Sequence, residues 1–131
     1  MGIFVFRIVI MDKLMQFLMV GLGGAAGSML RYGMTLLCAA LHLSGNVATF
    51  GVNIMGSFLI GLFTGCCRES SLLLLLTVGL CGGFTTFSTF SMQNVRLLQE
   101  GKIWIAAAYI IATVIVCVVM AWLGYRLSQS R

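Results

Sequence analysis

The residues best suited to chemistry stand between Gly79 and Ser91. There the run Gly-Leu-Cys-Gly-Gly-Phe-Thr-Thr-Phe-Ser-Thr-Phe-Ser combines three glycines, five hydroxyl side chains and three phenylalanines. They lie inside a charge-free stretch from Ser70 to Val95. A lipid-facing helix has no use for this composition. Without water, every backbone polar group at membrane depth needs a protein, ion or cavity partner, so such a run marks a helix that opens around something polar. The chemistry on offer is ion solvation. Aromatic rings have a positive edge and hydroxyl protons can rotate toward an anion. Phe87 and Phe90, with Ser88 and Thr89 between them, can therefore replace part of an anion's hydration without a fixed counter-charge. Carbonyls freed around Gly82 to Thr85 suit a hard cation instead.

Other residues extend this polar set, each with a plainer reading beside it. Asn53 is costly in lipid unless its amide is used, either in an interhelical hydrogen bond worth about 0.6 to 2 kcal/mol or as a donor facing a pore. Tyr109, Thr113 and Cys117 recur at intervals of four, which serves packing or the far wall of a polar path. Arg31 either snorkels to water or draws anions into a vestibule. Arg96 and Glu100 have the spacing of a helical ion pair on a solvated surface. Gly23 and Gly27 form a GxxxG pair suited to close helix packing.

These residues need a scaffold, and the composition defines one. The chain is 60% apolar, 8% charged and free of proline, which identifies an integral membrane protein. Its uncharged stretches at 14–30, 32–67, 70–95 and 103–125 each hold a span of about 20 residues. The expected fold is all-α: one transmembrane domain over residues 1–131, with spans near 14–37, 47–66, 72–97 and 103–125 and the third helix broken mid-membrane. Residues 1–10 could open a signal sequence but lack a small-residue cleavage site, and Met11 is an alternative start.

The net charge of +5 comes from basic residues scattered at helix ends, which fits membrane anchoring and not nucleic-acid binding. Arg7, Lys13, Arg68, Arg126 and Arg131 fall on the side of the termini, against Arg31, Arg96 and Lys102 on the other. This weak bias permits insertion in both senses, and with it an antiparallel homodimer. The five cysteines show neither a disulfide framework nor a zinc spacing; Cys66 and Cys67 are adjacent, so on a helix their side chains diverge. With His42 the single histidine, no catalytic cluster can be assembled.

Four features together resemble the Fluc, or CrcB, family of fluoride channels. They are Gly23-Gly-Ala-Ala-Gly-Ser-Met-Leu-Arg-Tyr32, Thr49-Phe-Gly-Val-Asn-Ile-Met-Gly56, the run from Gly79 to Phe90, and the four-span layout. The resemblance implies a dual-topology antiparallel homodimer in the cell (inner) membrane, with two fluoride pores and a structural sodium ion at the dimer centre. It implies that Asn53 is the pore amide, that Phe87 and Phe90 face fluoride, and that Ser88 and Thr89 belong to a polar track. Tyr109 and Thr113 become wall residues, and the carbonyls of Gly82 and Thr85 become sodium ligands. Gln93 stands where many members carry Glu. The implied activity is passive export of cytoplasmic fluoride, which protects the cell from its toxicity. Two rivals remain. A small proton-coupled multidrug exporter needs a membrane-embedded carboxylate, whereas Asp12, Glu69 and Glu100 all fall at predicted ends. A structural membrane subunit would use the same small residues and hydroxyls for packing alone.

Overall fold

The computed structural model describes residues 2–130, with side chains from Arg7 onward; Met1 and Arg131, the latter counted above with the basic residues near the termini, lie outside that range. Helices α1 (Gly2–Ala40) and α2 (Gly45–Cys66) are followed by a third helical column in several pieces. That column runs through α3 (Ser70–Leu74), a π-helical segment Leu75–Cys81, one further turn α4 (Gly82–Phe84) and α5 (Phe87–Gln99). Helix α6 (Ile103–Gln129) closes the chain, and no strand occurs among the described residues. Four helical stretches are long and apolar enough to cross a membrane, with the third column taken as one. The chain is an all-α membrane protein.

Helix α1 begins well before the span expected at Leu14 and runs 39 residues, about 58 Å at 1.5 Å per residue against a hydrocarbon core of about 30 Å. Residues 2–13 are thus helix continuous with the first span. The connections are short, and Asn46 at the start of α2, Gln93 midway along α5 and Tyr109 early in α6 meet at one level.

Two helix pairs organise the bundle: α1 packs on the column from Ser70 to Phe84, and α2 packs on α6. Gly27 makes the first pairing possible, since a Cβ there would strike the carbonyl oxygen of Leu80. Backbone is thereby brought against the π-helical segment, a rare winding that often marks functional sites. Fully buried side chains are few, with Val52, Cys81 and Ala106 at 1–2% exposure, so most apolar area faces outward. Trp104, Trp122 and Tyr125 stand exposed toward the two ends of α6, as interfacial anchors do.

One expectation about the loops changes. Cys66 ends α2 in helical conformation, but Cys67 is extended at φ −92°, ψ 121°. The turn between them swings both sulfurs to one side, 3.9 Å apart, instead of letting them diverge.

Candidate functional site

The third column leaves helical geometry at two residues, Thr85 (φ −77°, ψ 159°) and Thr86 (φ −146°, ψ 107°). A side chain from another helix stabilises this opening. The Thr86 N–H donates to Asn53 Oδ1 at 2.8 Å, and Asn53 Nδ2 donates to the Thr86 carbonyl at 3.2 Å. In a continuous helix the Thr86 N–H would bond the carbonyl of Gly82. Here it is diverted to Asn53, and none of the main-chain hydrogen bonds outside the helices ends on the carbonyls of Gly82 or Thr85. The helix restarts under its own cap, with Thr86 Oγ1 accepting from the Thr89 N–H at 3.3 Å.

Close approach of α2 to the break depends on Gly56. A Cβ at that position would collide with the Thr85 methyl group. Between α2, the break and α6 lies a cavity of about 320 Å³. Asn53, Ser57, Phe87, Phe90 and Thr113 line it, as do Gly82 and Thr85.

The hydroxyls divide into those spent on their own helices and those left to act. Thr85 Oγ1 donates to the Cys81 carbonyl at 2.9 Å and Ser91 Oγ to that of Phe87 at 2.9 Å, the ordinary back-bonding of a helical hydroxyl. Thr113 does not bond back: its Oγ1 is buried, lines the cavity and has no partner. A buried unpaired hydroxyl costs about 1–3 kcal/mol, so this one calls for a ligand or water in the cavity. Thr86 Oγ1 donates to Thr89 Oγ1 at 2.9 Å, which leaves the Thr89 proton free to turn outward.

The two phenylalanines share a face, with centroids 5.6 Å apart, but differ in setting. Phe90 is 5% exposed and meets the Tyr109 ring edge-on at 5.1 Å, while Phe87 is 77% exposed. Tyr109 lies behind Phe90, outside the cavity lining, and its hydroxyl donates to Gln93 Oε1 at 3.0 Å. Gln93 Nε2 in turn donates to Thr49 Oγ1 at 2.9 Å. Sequence reasoning had no place for Thr49, although its position one turn before Asn53 on α2 put it on the same face.

Ser88 and Thr89 line a neighbouring groove with Met92, Gln93 and Arg96, not the main cavity. Arg31 reaches neither space: it is half-buried on α1, its Nε without a partner. Lys102 takes the Glu100 carboxylate, so the ion pair expected between Arg96 and Glu100 does not form. Asp12, Glu69 and Glu100 line neither space, and no cluster of three or more His, Cys, Asp or Glu residues occurs among the described residues.

Fold and site define a multi-pass membrane protein whose third helical column opens onto a carboxylate-free cavity in which a few polar groups stand among apolar ones. The chain belongs to the CrcB-like protein family, described as "CrcB-like protein, Camphor Resistance (CrcB)", whose model matches residues 18–125. It is 43% identical over 120 residues to a protein of Thermus thermophilus, covering 88% of this chain and 96% of that one. It is 40% identical over 119 residues to one of Methylobacillus flagellatus, covering 86% and 93%. A third relative, from Ruminiclostridium cellulolyticum, is 40% identical over 126 residues, covering 92% and 97%. All three carry the name fluoride-specific ion channel FluC.

Proposed function

We propose that this chain is a fluoride channel of the cell membrane that lets cytoplasmic fluoride leave passively. The observation that carries the reading is the cavity beside the helix break, where Asn53, Phe87, Phe90 and the unpartnered Thr113 hydroxyl converge without a fixed cation or a carboxylate. Such a lining solvates an anion while holding it weakly enough for release. Fluoride that enters as neutral HF loses its proton inside. The inside-negative potential then drives the trapped ion out through a selective path, at about 2.3 kcal/mol per charge per 100 mV.

In this reading Asn53 has two tasks. It holds the break open through Thr86, and its remaining amide N–H faces the anion. Phe87 and Phe90 present ring edges, Thr113 offers its proton from α6, and Ser88 with Thr89 continues the track into the neighbouring groove. Tyr109 positions Phe90 by its ring contact and Gln93 by its hydroxyl.

The channel works as an antiparallel, dual-topology homodimer. Support comes from Phe87, whose ring is largely exposed although it borders the cavity, and from the small buried core of the single chain. A second copy would cover both. At the dimer centre the Gly82 carbonyl, whose helical partner is diverted to Asn53, and the Thr85 carbonyl, whose helical partner the Thr89 N–H goes to the Thr86 hydroxyl, fit a sodium ion, since neutral oxygens suit a hard monovalent cation. When bound, sodium supplies a fixed positive charge that holds two helix breaks together.

Purified protein reconstituted into liposomes tests the reading. Fluoride electrode recordings should show efflux far above that of empty vesicles, and efflux no faster than theirs contradicts it. A proton-coupled exporter gains no support, because each of the three carboxylates lies outside the cavity.

A further inference from the structure

We infer that Arg96 is an electrostatic collector, drawing fluoride into the groove lined by Ser88 and Thr89, the hydroxyls that stand between Phe87 and Phe90 in the chain. The inference rests on the channel reading above and adds the residue that feeds one mouth of that path.

A groove of about 330 Å³ runs along one face of α5 past Ser88, Thr89, Met92, Gln93 and Arg96. From Ser88 to Arg96 is about 12 Å at the helical rise. The inner end of this groove therefore holds two hydroxyls and its outer end a guanidinium. Between them Gln93 adds no charge, and both ends of its amide are engaged, by Thr49 and by Tyr109.

Arg96 is also unneutralised. Glu100, one helical turn further on, is the acid placed to quench it. At Glu100, however, the chain leaves the helix, and Gly101 adopts φ +73°. The Glu100 carboxylate then pairs with Lys102, so that among the described residues Arg96 has no ion-pair partner. Asp12 and Glu69 belong to the opposite end of the bundle, on the early part of α1 and just ahead of α3. The C-terminal dipole of α5 opposes Arg96 with about half a charge, which leaves the mouth net positive.

An exposed, unpaired cation about two turns from the first hydroxyls raises the local anion concentration without binding it tightly. At a separation of about 7 Å in water the attraction is close to thermal energy, equivalent to a roughly two- to threefold gain in fluoride at the mouth. It should vanish once the Debye length contracts from about 30 Å at 0.01 M salt to about 3 Å at 1 M.

The test uses the full-length protein in liposomes of zwitterionic lipid at constant sodium, with an impermeant salt setting ionic strength. Initial fluoride efflux is read by electrode. At 0.01 M, Arg96→Gln should slow efflux about two- to threefold and Arg96→Lys should preserve it; at 1 M all three proteins should agree. Met92→Glu keeps Arg96 but supplies an acid one turn away, and should reproduce the Arg96→Gln loss at low salt. Rates equal to wild type at 0.01 M in both Arg96→Gln and Met92→Glu overturn the inference, as does a loss that persists at 1 M. A wild-type protein that passes no fluoride at either salt overturns the channel reading itself, and the inference with it.

Discussion

Asn53→Ala separates a structural lock from a mere pore lining. The substitution deletes both hydrogen bonds to Thr86, the 2.8 Å bond from its N–H and the 3.2 Å bond to its carbonyl. Interhelical hydrogen bonds in membranes average about 0.6 kcal/mol and reach about 1.7, so losing two costs about 1 to 3 kcal/mol. An energy of that size shifts the equilibrium between open and closed-up break roughly 5- to 150-fold. The freed Thr86 N–H has an alternative acceptor in Gly82, so the helix should heal across Thr85 and Thr86 and withdraw the Gly82 carbonyl from the cavity. Asn53→Ala should therefore pass fluoride at least about fivefold more slowly. It should also lose its sodium-dependent thermal stabilisation while remaining helical by circular dichroism. A protein with unchanged efflux and unchanged sodium dependence would refute the lock.

Phe87→Ile and Phe90→Ile should both cut fluoride efflux, but only Phe90→Ile should also loosen the fold of the single chain, by about 0.5–1.5 kcal/mol, through its lost contact with Tyr109. Equal effects in the two variants would argue against the different settings of the rings. Tyr109→Phe keeps that ring contact but deletes the hydroxyl bonds to Gln93 and Asn46, so it should lower stability by about 0.5–1.5 kcal/mol in a chemical melt and leave most of the flux. Gly56→Ala drives a methyl group into Thr85 and should lower both yield of folded protein and flux; wild-type behaviour would mean the break is less tightly held than its contacts indicate. Exchanging sodium for a bulky organic cation should lower the melting temperature in a sodium-concentration-dependent way, and a melting temperature indifferent to sodium would remove the central cation site.

The four long helices were legible because each contains a long uncharged stretch, and the two non-helical residues, Thr85 and Thr86, fall inside the glycine- and hydroxyl-rich run that composition singles out. Composition also located Asn53 and Thr113, since polar side chains in an apolar helix stand out. Their partners did not stand out. That Asn53 grips both sides of the Thr86 backbone depends on how closely α2 approaches, a tertiary fact encoded only indirectly by Gly56. The π-helical winding of Leu75–Cys81 has no local signature, because Leu, Thr, Val and Gly serve α and π turns alike. The Arg96–Glu100 pairing failed for a similar reason: spacing assumes the helix continues, and it ends at Glu100. Ser88 and Thr89 lie on the expected helix, but on a face of α5 that borders a second groove and not the main cavity, which spacing alone does not distinguish.

The central claim, selective passive conduction of fluoride, is tested most directly by comparing fluoride and chloride efflux from the same proteoliposomes under an identical imposed potential, without a proton gradient. The account predicts rapid fluoride efflux with chloride no faster than from empty vesicles. Equal rates for the two anions, or fluoride efflux that requires a proton gradient, would contradict it.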